Sequence, residues 1–123
     1  MDKRKSIRQK VYDKYNGRCA YCGKDINYEE MKVDRIVPDL FISIEEGLIS
    51  NLVPACGMCY SCKRYRSLAA FRIEIDKKAR RAMQGHKAEL AMAYGLIEYH
   101  PERNAKFYFE KYEKDNGESK SYR

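Results

Sequence analysis

Two cysteine pairs constrain this chain more than anything else in it. Cys19-x2-Cys22 and Cys56-x2-Cys59 each have the spacing that lets two thiolates from one tight turn reach the same tetrahedral metal. Disulfides are the rival use of such residues. The chain has five cysteines, an odd count, and the residues Met1-Asp2-Lys3-Arg4-Lys5 lead into no hydrophobic signal segment. A reducing, cytoplasmic setting is expected, with the two pairs as halves of one structural zinc site. The register has an alternative. Cys59 and Cys62 form a second C-x2-C, which would put Cys62 in the place of Cys56.

A chain of 123 residues is expected to form one domain, residues 1–114, small enough for a metal to supplement its core, with a charged tail at 115–123 that reads as disordered. No apolar run approaches the length of a membrane span, so no membrane partner is expected. The net charge of +7 is unevenly spread. Residues 1–18 hold seven Lys/Arg against two acids, residues 63–87 hold nine against two, and residues 24–50 hold three against seven. Clustered positive charge of this kind is the footprint of phosphate binding, and a solvated helix face is its plainer reading.

Ile7, Val11 and Tyr15 recur at helical spacing ahead of Gly17, which predicts a first helix with a glycine near its C-terminal end. Residues 31–37 read as a strand stopped by Pro38, and a strand places Asp34 and Arg35 on opposite faces. Residues 41–49 read as a mixed apolar and acidic connection turning at Gly47, and Asn51 as the start of a short turn into the second cysteine pair. Ser67 is placed to cap a long helix carrying Leu68, Phe71, Ile75 and Ala79 on one face, interrupted by Gly85. A further helix over 87–94 stops at Gly95, and His100-Pro101 breaks the chain again. The aromatic run 106–111 reads as a closing strand.

These motifs together resemble the small zinc-knuckle HNH endonucleases, and in particular a phage- and Bacteroidetes-associated subgroup of them. The resemblance is carried by residues 11–23 (Val-Tyr-Asp-Lys-Tyr-Asn-Gly-Arg-Cys-Ala-Tyr-Cys-Gly), by Val33-Asp34 and Ile36-Val37-Pro38, by Asn51-Leu52-Val53-Pro54-Ala55-Cys56, by Phe71-Arg72, and by the aromatic ending from Phe107. It implies an α+β fold with an HNH (ββα-metal) core, a four-cysteine zinc knuckle and additional helices. It also favours Cys19, Cys22, Cys56 and Cys59 as the ligands, leaving Cys62 a free thiol in the following helix.

In active members of that family, the position of Asp34 and the position of Tyr60 supply ligands to a catalytic cation. The position of Arg35 holds a histidine that deprotonates water, and the position of Asn51 orients the loop carrying it. This chain departs from the pattern at two of the four. A guanidinium stays protonated and has no acceptor, so Arg35 cannot act as a general base. A neutral phenol at Tyr60 is a poor ligand for a hard divalent cation. No catalytic residue and no catalytic Mg²⁺ or Mn²⁺ is expected. Two readings stay open for Asp34, residual metal ligation and an ion pair with a nearby Lys or Arg. His86 and His100 lie outside the matched motifs and read as surface or packing residues.

The expectation is therefore a non-catalytic HNH-fold protein that presents Arg35, Lys63, Arg64, Arg66 and Arg72 to nucleic acid, DNA or RNA, or to a nucleoprotein such as a CRISPR nuclease. As a phage-type anti-CRISPR inhibitor it would act in the host cytosol, and no small-molecule substrate is expected. The alternatives are an active endonuclease with a site rebuilt from Asp39, Glu45 or Glu46, and a zinc-stabilised structural part of a phage DNA-handling assembly.

Overall fold

The structure, a computed structural model, describes residues 6–38 and 50–115. The first helix, α1 (Ile7–Asp13), starts at Ser6, whose hydroxyl accepts the Gln9 N–H at 3.1 Å and so satisfies one of the free donors of the first turn. Val11 is its one fully buried residue. The chain then reverses through Asn16 and Gly17, both at positive φ. Gly17 suits this place because its φ is +78°, which other residues rarely adopt, and an added Cβ would also have to displace the Tyr12 hydroxyl, 2.9 Å away.

The first cysteine pair follows as a compact loop, closed by Cys19 N–H to Lys24 O and Gly23 N–H to Cys19 O, each 2.9 Å. A 3₁₀ turn at Tyr28–Glu30 leads into strand β1 (Lys32–Arg35). Its antiparallel partner β2 (Leu52–Ala55) pairs Lys32 with Ala55, Val33 with Pro54, Asp34 with Val53 and Arg35 with Leu52. The turn expected before the second cysteine pair is thus a strand. Pro54 obscures it in the sequence, because proline lacks a ladder donor. In a two-stranded sheet both strands are edges, and the Pro54 carbonyl accepts the Ala20 N–H at 2.8 Å, tying the sheet to the first cysteine loop.

Helix α2 (Gly57–Lys63) carries the second cysteine pair into the core, and α3 (Leu68–Ala82) begins at Ser67, whose hydroxyl accepts the Ala70 N–H at 3.1 Å. Leu68 and Phe71 are buried while the rest of the expected apolar stripe is only partly covered, so α3 packs by its first two turns. Helix α4 (His86–Ala93) buries no residue at all.

The run expected as a closing strand is instead the entrance of helix α5 (Tyr108–Asp115). Glu110 reaches back to accept the Phe107 N–H at 3.1 Å, which is half of a capping box. An aromatic run this short does not distinguish strand from helix by its period. Phe107 stacks on Phe71 with centroids 5.1 Å apart, and Tyr21 meets both edge-on at 5.4 and 5.2 Å. This aromatic cluster forms the centre of the core, joining the first cysteine loop to α3 and α5. A smaller cluster of Val11, Met31 and Leu52 seats α1 on the sheet. The α+β class expected from the sequence is what the described residues adopt. No helix among them is long and apolar enough to cross a membrane.

Candidate metal centre and the groove beside it

The sulfurs of Cys19, Cys22, Cys56 and Cys59 all lie within 4.8 Å of one another. Zinc–thiolate bonds of about 2.3 Å at tetrahedral angles separate sulfurs by about 3.8 Å. The Cys22 and Cys56 sulfurs are 3.8 Å apart. Backbone N–H groups point at two of the sulfurs, from Cys22 to Cys19 Sγ at 3.5 Å and from Cys59 to Cys56 Sγ at 3.4 Å, supplying outer hydrogen bonds that favour thiolates.

The sulfurs perturb one another strongly. A hydrogen bond with Cys59 draws Cys19 down to about 4, against the opposing effect of burial. The same hydrogen bond, and then burial, pushes Cys59 up, while burial raises Cys22. The set fits one soft, four-coordinate metal ion, whose positive charge would let all the sulfurs ionise together. Cys62 stands outside this group and packs, partly buried, against the core. The register with Cys56 is the one the fold adopts.

Beside this centre, Asp34, Arg35, Asn51 and Tyr60 gather around the end of β1. Asp34 is 5% exposed. Its Oδ2 accepts the Tyr21 hydroxyl and lies 3.0 Å from Lys63 Nζ. Lys63 is fully buried, and its ammonium also donates to the Arg35 carbonyl at 2.7 Å. Burial, and next the negative charge of Asp34, hold the Tyr21 phenol far above its ordinary range, so it remains a donor. The carboxylate is thus engaged by an ammonium and a phenol, and a divalent cation on that oxygen would have to face the ammonium across a few ångströms. Of the two readings of Asp34, the ion pair is the arrangement present.

Arg35 is exposed, and the strand's alternation separates it from Asp34 as expected. With Val33, Pro38, Tyr60, Arg64 and Tyr65, these two residues border an open groove of about 430 Å³. Asn51, 5% exposed, holds the strand's exit: its side-chain oxygen accepts the Val37 N–H at 2.9 Å and its amide donates to the Val37 carbonyl at 3.0 Å.

The expected basic set does not act as one surface. Lys63 is a correction, since an ammonium sealed against Asp34 cannot meet a phosphate. Arg66 donates to the Cys62 carbonyl and lies 3.7 Å from Glu74. Arg72 donates to the Ala105 carbonyl, pairs with Glu110 and lies over the Phe107 ring at 4.6 Å. These two arginines pin α3 and α5 in place, with their remaining surface half-open. Only Arg35 and Arg64 of the set border the groove.

Neither histidine does: His86 opens α4 in solvent, and His100 sits 3.7 Å from Glu98 and 3.3 Å from Glu102. Asp39, Glu45 and Glu46 lie outside the described residues. Two participants were not singled out in the sequence, Tyr21 under Asp34 and Tyr65 at the groove's rim. The signal for Tyr65 is the helix end Lys63-Arg64-Tyr65, which offers no glycine where α2 must stop.

No protein-family model and no curated protein matches this chain. Among solved structures, the type II-C Cas9 enzyme from Actinomyces naeslundii is similar with a TM-score of 0.46 and 24% identity, covering 60% of this chain and 8% of that one.

Proposed function

We propose that this chain is a catalytically silent HNH-type protein, held by one structural zinc on Cys19, Cys22, Cys56 and Cys59, that binds nucleic acid or a nucleoprotein. The observation that carries the reading is the groove at the end of β1. Where a nuclease of this type would hold a cation and a base, this chain has Asp34 engaged by Lys63 and Tyr21, with Arg35 and Tyr60 at the border. Arginine cannot take a proton from water, and losing the general base alone typically costs about 10²- to 10⁴-fold in rate. What such a groove does well is attract anions, because its arginines stay charged at any accessible pH.

The most specific version is an inhibitor of a host RNA-guided nuclease, an anti-CRISPR protein of the phage type. The groove's arginines and the basic first and third helices suit an RNA-bearing partner, and the small zinc-held frame retains the shape of a nuclease core without its chemistry. The test is to incubate the zinc-loaded chain with single- and double-stranded DNA and RNA and Mg²⁺ or Mn²⁺, and to measure both binding and cutting. Binding that weakens steeply with salt and leaves every substrate intact is expected. Robust cutting that disappears on Asp34→Ala would refute the reading. Added to a purified RNA-guided nuclease, the chain should lower target cleavage; cleavage unchanged at saturating chain would refute the inhibitor version while leaving the binding one.

A further inference from the structure

Helix α2 ends in a backbone conformation that arginine does not favour. The Arg66 N–H donates to the Lys63 carbonyl at 2.9 Å, closing a four-residue turn over Lys63, Arg64, Tyr65 and Arg66. Arg64, the first central residue, has φ 50° and ψ −121°, the mirror-image geometry of a type II′ turn, where glycine ordinarily stands. A side chain is strained there, and such strain persists where the surrounding structure enforces it, most often beside a functional site. The turn forms part of the border of the groove.

Two features of the turn point to a ligand. Arg64 donates through Nε to the Ser61 carbonyl at 3.2 Å, which steadies the guanidinium and leaves its two terminal amino groups as donors. Tyr65, next along, is 90% exposed, while Tyr60 on the same groove is 40% exposed. Asp34 is the one carboxylate among the groove's described neighbours, and the Lys63 ammonium lies 3.0 Å from it.

We infer that the groove takes one unpaired nucleotide of a single strand, its phosphate on the terminal amino groups of Arg64 and its base stacked on Tyr65. This rests on the nucleic-acid reading above and adds the substrate class. A duplex keeps its base faces inside the stack and has none to offer Tyr65, whereas an unpaired base presents its π-face. An acidic peptide would use the guanidiniums but gain nothing specific from the exposed ring.

The test is fluorescence anisotropy on the full, zinc-loaded chain with four probes: a labelled single strand of about 12 nucleotides as DNA and as RNA, the matching DNA duplex, and a poly-glutamate peptide. Tyr65→Ala should weaken single-strand binding about 5- to 100-fold, with Tyr65→Phe retaining it and duplex affinity unmoved. Arg64→Gly should lower the salt slope of single-strand binding by about one. Because glycine suits this turn, the same variant should melt no lower than the parent, which separates loss of binding from loss of fold.

Single-strand binding untouched by both Tyr65→Ala and Arg64→Gly, in a chain that still binds nucleic acid, would overturn the assignment and leave the broader reading standing. So would an equal loss for strand and duplex. Binding of no nucleic acid at all would overturn both, and poly-glutamate binding lost in Arg64→Gly would then identify an acidic protein as the partner.

Discussion

Lys63→Met tests the electrostatic centre of the structure. The side chain of Lys63 is 0% exposed, that of Asp34 is 6% exposed, and the ammonium–carboxylate distance is 3.0 Å. Methionine fills most of the lysine's volume, so the variant removes the charge with little change in packing. It leaves a buried carboxylate with the Tyr21 hydroxyl as its remaining described partner and deprives the Arg35 carbonyl of its donor. Breaking one side of a buried pair typically costs about 3–5 kcal/mol, a large part of the roughly 5–15 kcal/mol that holds a domain together.

Urea denaturation followed by circular dichroism, at fixed saturating zinc so that the metal's contribution is constant, measures the loss. The double variant Lys63→Met with Asp34→Asn should recover much of it, since no uncompensated charge remains. A single variant within about 1 kcal/mol of the parent would show that water reaches the ammonium. No recovery in the double variant would place the defect in packing instead.

Chelation, or Cys19→Ser, should produce one cooperative unfolding transition, because thiolate ligation supplies folding free energy; a folded, well-behaved preparation with no bound metal would sink the zinc assignment. Asn51→Ala removes both hydrogen bonds to Val37 and should cost about 1–3 kcal/mol in chemical denaturation, with a change inside measurement error refuting the clamp. Arg35→His with Tyr60→Asn should remain a poor nuclease while Lys63 holds Asp34, and metal-dependent cutting by that double variant would show that the ion pair yields readily to a cation.

The parts of the fold that could be read from the sequence are those fixed by local chemistry. The C-x2-C spacing points to the four cysteines that come together, and Ser67 with its apolar stripe to α3, because a short spacing, a cap and a period each act within a few residues. The misreadings occurred where the deciding partner is remote. Residues 107–111 become helical when Glu110 caps Phe107 and the aromatic rings find Tyr21 and Phe71. Lys63 sits in a run of basic residues, and nothing local separates it from Arg64; its burial is set by Asp34 on β1. Residues 52–55 read as a turn but pair with β1, and Pro54 is tolerated there because both strands of the sheet are edges among the described residues. The expectations for residues 41–49 and for the tail beyond 115 fall on residues outside the described set.

The same long-range contacts fix the backbone that borders the groove. Four consecutive residues at the end of β1 are each tethered. Asp34 is held by Tyr21 and Lys63, the Arg35 carbonyl by Lys63, the Ile36 N–H by the Asn51 carbonyl at 3.0 Å, and Val37 by both polar atoms of the Asn51 side chain. Tyr21 lies within the first cysteine loop and Lys63 in the helix of the second, so a metal on the four cysteines would act on both anchors of Asp34. A backbone fixed in this way loses little further freedom when a ligand arrives, and that saving strengthens binding without any added contact. It follows that Lys63, Asn51 and a metal on the four cysteines should affect affinity through the groove's wall at the end of β1 although none of them touches the ligand. Chelation should then abolish strand binding in the same transition that unfolds the chain, and strand binding that survives complete metal removal would contradict this coupling.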